Sequence, residues 1–528
     1  MRTSARELLE QLLDTDSFVS WDRPPVTVAA SPQYRDALQK AASAAGTDES
    51  VLTGEGLLRG RRVAVIACEF GFLAGSVGVA AAERIVSAVE RATELGLPLV
   101  ASPTSGGTRM QEGTVAFVQM VKIAGAVAAH KSAGHPYVVY LRNPTMGGVF
   151  ASWGSLGHIT FAEPGALIGF LGPRVYQALY GKPFPEGVQT AENLYRRGVI
   201  DGVLTIPVFR RIAHRALSVF SGVQLPGSAA AQRYSEQPPL RESAAVRVQA
   251  ANCAEAERIQ PGDEQIAAED NPVWQSVLIS RRPQRPGIRE LLRHVTQRVP
   301  LSGTGQGESD RTAVLALGRF RGQPCVVFGH DRRGQQGENT MGPAALREAR
   351  RSMALAQELR LPLLLVIDTV GAALSKEAEE RGLAPEIARC IADLVTLDTP
   401  TVSVLLGQGT GGGALALLPA DRVLAATHAW LAPLPPEGAS AIVFRDTDHA
   451  AELAAAQRIS AADLLDDGVV DRIVPELPDA ADEPVDFARR MVAAIAHELA
   501  ALRARPEPEL LAMRQARYRR LGLPGRTN

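Results

Sequence analysis

Short apolar runs alternate with longer amphipathic stretches along the first part of the chain. Residues 62–67, 97–101 and 136–141 predict buried strands, because they are apolar, short and bounded by turn residues. Residues 77–95 and 114–133 lie between them and have helical periodicity. Strands that alternate with helices indicate parallel pairing with helical crossovers, so the pattern predicts an α/β fold.

The same pattern occurs twice. Pro98 and Pro362 each stand at the start of a buried strand that runs into a glycine turn, and they are 264 residues apart. Gly148 and Gly412, which follow the next strand of each copy, are also 264 residues apart. Residues 199–204 and 469–474 form a further match at an offset of 270. Repeated landmarks in the same order predict an internal duplication.

The duplication gives the domain organisation. We expect an N-terminal domain over residues 1–221 and a C-terminal domain over residues 272–528. Residues 222–271 between them are polar and have little apolar periodicity, which predicts a linker.

Composition and charge exclude several classes of protein. The net charge of -1 provides no field that would attract nucleic acid or an anionic membrane. The four cysteines form no C-x-x-C pair, so neither a zinc ribbon nor a disulfide framework is expected. No apolar run approaches the ~20 residues of a membrane span, and the N-terminus lacks the apolar core of a signal peptide. We therefore expect a soluble, cytoplasmic protein.

Glycine pairs at the ends of strands are the candidate chemistry. Gly107 and Gly148 are 41 residues apart, as are Gly371 and Gly412. Glycine lets a ligand approach the backbone, and two such turns can direct two N–H groups at one oxygen, which is an oxyanion hole. Tight packing of a strand against a helix also selects glycine, so both interpretations stay open. No nucleotide-binding motif, G-x-S-x-G elbow or H-E-x-x-H motif was found to compete with them.

Longer motifs carry a resemblance to a known family. The first half contains Ser-Gly-Gly-Thr-Arg-Met-Gln-Glu-Gly (105–113), Asn-Pro-Thr-Met-Gly-Gly (143–148) and Ala-Glu-Pro-Gly-Ala-Leu-Ile-Gly-Phe-Leu-Gly-Pro-Arg (162–174), and it resembles the β subunit of bacterial acetyl-CoA carboxylase carboxyltransferase. The second half contains Gly-Gln-Gly-Thr-Gly-Gly-Gly-Ala-Leu-Ala (407–416) and Pro-Pro-Glu-Gly-Ala-Ser (435–440), and it is similar to the α subunit. The whole looks closest to the fused β–α form of mycobacteria and other actinobacteria.

The resemblance implies the fold and the site. Each half is expected to be a crotonase-like domain, with acyl-CoA bound by the first and carboxybiotin by the second. The residues implied to stabilise the thioester oxygen are Gly106, Gly107, Gly147 and Gly148. Those implied to stabilise the ureido oxygen of biotin are Gly371, Ala372, Gly412, Gly413 and Ala414. Residues expected to contact the CoA or biotin moieties are Arg109, Met110, Arg174 and Gly409.

The implied function is the transfer of a carboxyl group from carboxybiotin to acetyl-CoA, which yields malonyl-CoA for fatty acid biosynthesis. None of the five lysines has the neighbouring methionine of a biotinylation site, so the biotin is expected on a separate carrier, supplied by a biotin carboxylase and biotin carboxyl carrier subunit. A homo-oligomer is expected, because each half carries only one site and the family places the CoA half of one protomer against the biotin half of another.

Three departures from the family pattern keep alternatives open. The N-terminal four-cysteine zinc module is absent, so no zinc is expected. The α-subunit motif D-T-P-G-A-Y-P-G appears as residues 368–375 without either proline or the tyrosine, and Gln408 replaces an acidic residue. The alternatives are a decarboxylase acting on a malonyl thioester and a catalytically silent assembly subunit.

Overall fold

The computed structural model describes residues 3–221 and 271–523, except positions 29, 173–175, 178–179 and 338. The expected linker 222–271 therefore lies outside the described residues except for Asn271. That residue caps the helix that opens the second half, because its side chain accepts hydrogen bonds from the amides of Val273 and Trp274. The domain boundaries stay a prediction.

The first half consists of short strands and longer helices in alternation. Its strands are β1 Val19–Ser20, β2 Val51–Leu58, β3 Arg61–Cys68, β4 Leu99–Ser102, β5 Tyr137–Leu141, β6 Thr145–Met146, β7 Ile159–Ala162, β8 Ile168–Gly169 and β9 Gly202–Val203. Its helices are α1 Ala5–Leu12, α2 Pro32–Ala45, α3 Val79–Glu94, α4 Gly113–Ser132, α5 Ala191–Arg196 and α6 Ile206–Ser221, with 3₁₀ turns at Leu73–Gly75, Met110–Glu112 and Trp153–Ser155.

The second half follows the same scheme. Its strands are β10 Gln297–Leu301, β11 Ala313–Phe320, β12 Gln323–His330, β13 Leu363–Thr369, β14 Thr401–Thr410, β15 Arg422–Ala426, β16 Trp430–Ala432 and β17 Arg472–Val474. Its helices are α7 Pro272–Ser280, α8 Ile288–Leu291, α9 Pro343–Leu359, α10 Lys376–Glu380, α11 Leu383–Thr396, α12 Gly411–Leu415, α13 Pro436–Val443, α14 Ala450–Ala456, α15 Ala461–Asp466, α16 Pro484–Arg503 and α17 Glu507–Arg520.

The two sheets have the same strand order. The first runs β1-β2-β3-β4-β5-β7-β9 and the second β10-β11-β12-β13-β14-β15-β17, and in both the strands are parallel from the third onward. The register repeats as well, because Val100 pairs with Val138 and Leu364 pairs with Val402, both at the 264-residue offset. The α/β architecture and the internal duplication predicted from the sequence are thus both observed.

The two halves pack directly on each other, and one hydrophobic core runs through both. Helices α4 and α11 cross closely at Gly125, where an added Cβ would lie 3.0 Å from Cγ1 of Val395. Nearby, Thr114 Oγ1 donates to the Leu431 carbonyl at 3.0 Å. The C-terminal helix α17 returns to the first half, where Arg519 pairs with Glu83 on α3 at 2.7 Å.

Helix α4 lies at the centre of this packing. Together with the preceding 3₁₀ turn it is long and apolar enough to cross a membrane by length and composition alone, but 72% of its most apolar window is buried inside the protein. Its buried faces contact α3 on one side and α11 on the other. Its apolar composition is accounted for by this core position.

Candidate active site

A glycine turn with the same hydrogen bonds follows the corresponding strand of each half. After β4, the Gly107 amide donates to Ser105 Oγ at 3.0 Å, and that hydroxyl donates to the Gly107 carbonyl at 3.1 Å. After β13, the Gly371 amide and carbonyl make the same two bonds with Thr369 Oγ1, at 3.1 and 3.0 Å. The two glycines have φ values of 127° and 137°, which favour residues without a Cβ.

A second glycine turn faces the first in each half. Gly147 and Gly411 have φ values of 64° and 59° and are 264 residues apart. Each is followed by a glycine that begins a helical turn, Gly148 in the first half and Gly412 in α12. A first turn of helix leaves its N–H groups without intrahelical acceptors, so both positions are suited to bind an anion.

The hydrogen bonds determine which amides are free to meet a ligand. The Gly106 amide donates to the Ala74 carbonyl at 2.9 Å, and the Gly147 amide donates to the Gly169 carbonyl at 3.1 Å. Because both amides are engaged, these two residues shape the turns. Gly107 and Gly371 are engaged with their own hydroxyl partners.

Three amides beside these turns donate to no group in the described part of the chain: those of Thr108, Gly148 and Ala372. Thr108 and Ala372 occupy the same place in the two halves, in parallel bridges to Val77 and Met341. The residue that follows each of them makes the bridging bond, with Arg109 donating to Val77 at 3.0 Å and Ala373 donating to Met341 at 2.8 Å. In each half a free amide therefore stands beside the glycine turn.

Both pairs of turns line one cavity of about 360 Å³ within a single chain. Gly107 and Gly148 contribute from the first half, and Gly371 and Gly412 from the second. The argument that two copies of the chain are needed to bring the halves together was therefore wrong, because the α4–α11 contact joins them within one chain. Homo-oligomer formation itself stays a prediction.

The cavity is apolar apart from its backbone amides. Among the described lining residues there is no carboxylate, amine, guanidinium, imidazole or thiol, and Tyr180 carries the only phenol. Proton transfer and charge stabilisation there cannot come from a side-chain acid or base of the described lining. Low polarity also strengthens each hydrogen bond that an amide makes to a developing negative charge.

The remaining residues predicted from the second half lie at or behind this wall. Gly409 belongs to β14, and an added Cβ there would lie 2.5 Å from the Trp430 carbonyl oxygen. Ala414 is fully buried within α12. An added Cβ on Gly413 would lie 3.3 Å from the Ala372 amide nitrogen, so the glycine leaves that amide uncovered.

The residues predicted to contact CoA have different surroundings. Met110 lines the cavity. Arg109 is 1% exposed, and its guanidinium donates to Glu49 at 3.0 Å and to the Ser76 carbonyl at 2.8 Å. These bonds raise the pKa of Arg109 above its ordinary value despite burial, and they tie the turn to β2 and the α3 entry. Arg174 lies outside the described residues.

Thr108 is the residue that sequence reasoning missed. The 264-residue offset was available to find it, because it maps Ala372 onto position 108. The glycines drew attention instead, since they are the residues that motifs display, whereas the free amide belongs to the residue after the turn.

The altered motif at 368–375 keeps its turn but changes the wall. Asp368 is buried, and burial raises the pKa of its carboxyl, although Arg332 lies 3.2 Å away. The carboxylate also accepts from the Gln408 amide at 3.2 Å, which ties the two loops together. Val370 and Leu374 place apolar side chains at the cavity.

Comparison with known proteins agrees with this geometry. The model of the carboxyl transferase domain family matches residues 2–510. The chain is 62% identical to a probable biotin-dependent acyl-coenzyme A carboxylase beta3 subunit of Mycobacterium tuberculosis, covering 99% of both chains. It is 36% identical to the acetyl-coenzyme A carboxylase carboxyl transferase subunits beta/alpha of Salinispora tropica, covering 99% of this chain and 91% of that one.

Among solved structures, the chain is similar to transcarboxylase 12S crystallised with methylmalonyl-coenzyme A and methylmalonic acid. That likeness covers 96% of this chain and 90% of the other, at 19% identity and a TM-score of 0.37. The crotonase-like fold expected from the sequence motifs is confirmed by the family match together with the two duplicated sheets.

Proposed function

Because the chain belongs to the carboxyl transferase family, as a carboxyltransferase subunit of the biotin-dependent acyl-CoA carboxylase kind, we propose that it transfers a carboxyl group from carboxybiotin to acetyl-CoA. The product is malonyl-CoA, which places the reaction in fatty acid biosynthesis. The observation that carries the proposal is one apolar cavity with duplicated free amides and no ionisable side chain apart from the Tyr180 phenol among its described lining residues.

The first half holds the acyl thioester. The amides of Thr108 and Gly148 donate to the thioester oxygen, which gains negative charge when the α-proton leaves. Because both amides are fixed by the turns before substrate arrives, little reorganisation is needed as that charge develops. The apolar lining excludes water and strengthens both hydrogen bonds.

The second half holds the biotin head group. The amides of Ala372 and Gly412 donate to its ureido oxygen, in the arrangement that Thr108 and Gly148 have in the first half. Carboxybiotin supplies the carboxyl group and, once that group has left, the base for the α-proton. The chain's own task is to hold the two reactants close together, which alone lowers the barrier considerably.

The duplication favours transfer over the two alternatives. A decarboxylase acting on a malonyl thioester needs only the thioester hole, whereas the second half retains a complete set of its own. A silent assembly subunit has no need of the Thr369–Gly371 bonds, which remain despite the altered motif.

The partners follow from the chemistry. We propose that biotin arrives on a separate carrier from a biotin carboxylase and biotin carboxyl carrier subunit, and that the chain forms a homo-oligomer in the cytoplasm without zinc. Sedimentation of the purified chain at assay concentration measures the oligomeric state, and an active monomer would contradict that part of the proposal.

One experiment separates the three functions. The purified chain is incubated with malonyl-CoA, with and without free biotin, and loss of malonyl-CoA is followed by chromatography. Loss that depends on biotin supports carboxyl transfer, run in reverse. Loss that is independent of biotin identifies a decarboxylase, and no loss in either case identifies a silent subunit. Repeating the assay with methylmalonyl-CoA tests whether acetyl-CoA is the preferred acceptor.

A further inference from the structure

A buried carboxylate from the second half holds one wall of the cavity. Glu379 lies on α10 and is 5% exposed. Its Oε1 accepts hydrogen bonds from the Phe170 amide at 2.8 Å and from Gln189 Nε2 at 2.7 Å, and both donors belong to the first half. The carboxylate is therefore a polar clamp between the halves.

Phe170 connects this clamp to both sets of glycine turns. The carbonyl of the preceding residue, Gly169, accepts the Gly147 amide at 3.1 Å. The Phe170 ring lies so close to Gly412 that an added Cβ there would be 2.8 Å from two ring carbons. One short segment thus touches the thioester side through its backbone and the biotin side through its ring.

The clamp has no cationic partner. The charged groups on the packed elements pair with one another, as Arg197 of α5 does with Glu380 at 2.8 Å and Arg389 of α11 does with Glu386 at 2.9 Å. The other titratable groups nearby are Lys376, Glu377 and Arg381 of α10 itself, together with Tyr176 and Tyr180 beside Leu374. None of them makes a recorded ion pair with Glu379 in the described part of the chain.

Burial without a counter-charge has a cost that a neutral residue would avoid. It raises the pKa of Glu379 from 4.5 to about 7, against the opposing effect of the Gln189 and Phe170 donors. A glutamine of the same shape would bridge the halves without that cost. Retention of a carboxylate beside a reaction cavity therefore indicates a role beyond packing.

We propose that Glu379 is a positioning residue for carboxyl transfer, which keeps the acyl-CoA and biotin sites in register by holding Phe170 between them. The inference rests on the proposed carboxyltransferase function. The ionised carboxylate accepts both hydrogen bonds more strongly than the protonated acid does, so the wall is best held above the titration of this group.

The test compares Glu379→Gln with Glu380→Gln, a matched change on the neighbouring residue of the same helix. The assay is biotin-dependent loss of malonyl-CoA between pH 5.5 and 8.5. Wild-type turnover is expected to rise with pH through about 7. Glu379→Gln is expected to lower kcat roughly 10- to 100-fold, to abolish that rise and to leave the KM for malonyl-CoA within about twofold. Glu380→Gln is expected to retain both turnover and the rise.

Phe170→Leu is the second variant, used whether or not Glu379→Gln folds. It keeps the amide that Glu379 binds but withdraws the ring from Gly412, and it is expected to lower kcat with acyl-CoA affinity retained. The inference is overturned if Glu379→Gln keeps wild-type turnover, if its pH rise persists, or if Phe170→Leu is fully active. Wild-type protein that shows no biotin-dependent reaction would instead overturn the proposed function.

Discussion

Replacing Ala372 by proline removes one proposed oxyanion donor while leaving the internal hydrogen bonds of the folded chain in place. The Ala372 amide donates to no described group, so the substitution breaks no bond of the protein. The residue before it, Gly371, has φ 137° and is not helical, so proline places little new restriction on it. Thr108→Pro is the equivalent change in the first half.

The expected loss is large in turnover and small in stability. Removal of one preorganised donor costs about 3 kcal/mol of transition-state stabilisation, which lowers kcat roughly 10²–10³-fold. Because the donor acts mainly on the charged transition state, the Kd for acetyl-CoA is expected to stay within about twofold. Ala373→Pro is the control, because it removes the 2.8 Å bond to the Met341 carbonyl and is expected to lower the unfolding free energy by about 1 kcal/mol or more.

Turnover is measured as biotin-dependent loss of malonyl-CoA, acetyl-CoA affinity by calorimetry, and stability by urea unfolding. A folded Ala372→Pro variant that binds acetyl-CoA and keeps near-wild-type turnover would show that the amide does not act on the reaction. If both Ala372→Pro and Thr108→Pro behave in that way, the glycine turns only serve packing.

Four further outcomes are expected. Gly148→Pro, in a variant that still folds and binds acetyl-CoA, lowers turnover about 10²–10³-fold in the same assay, and unchanged turnover contradicts the role of its amide. Arg109→Met leaves the Glu49 carboxylate buried and unpaired, so the unfolding free energy falls by about 3–5 kcal/mol in a urea titration, whereas a loss confined to acyl-CoA affinity would indicate a ligand contact instead. Burial lowers the pKa of His330 from 6.5 to about 4, so the unfolded chain binds the proton first as pH falls and stability decreases between pH 6.5 and 4; His330→Asn reduces that slope in unfolding curves at pH 5 and 7, and an unchanged slope refutes the assignment. Intact-mass measurement of the purified chain finds no covalent biotin, and a biotin adduct would show that this chain carries its own.

Sequence reasoning succeeded where the information is local or repeated. The alternation of strands and helices depends on the side chains of each segment, and the structure reproduces it in both halves. The 264-residue offset holds to the level of single hydrogen bonds, as in the matching bonds at Gly107 and Gly371. The offset of 270 is also structural: the carboxylates of Asp201 and Asp471 accept strand amides of Thr160 and Val423, each at 2.7 Å.

The free amides could not be identified from the sequence. The amides of Gly106 and Gly147 are engaged by the Ala74 and Gly169 carbonyls, which are distant along the chain. A motif displays residue types, whereas the availability of a donor depends on what the fold brings opposite it. The same reason explains Arg109, whose acidic partner Glu49 lies 60 residues away.

The sequence by itself thus determined the fold class, the duplication and the turns that carry the chemistry, because strand periodicity and glycine conformation are properties of short segments. Only the tertiary structure decided that both sets of turns open into one cavity of a single chain and that Glu379 bridges them. Those features depend on how helices α4 and α11 pack, and packing between residues far apart in the chain is fixed by the shapes of both surfaces together.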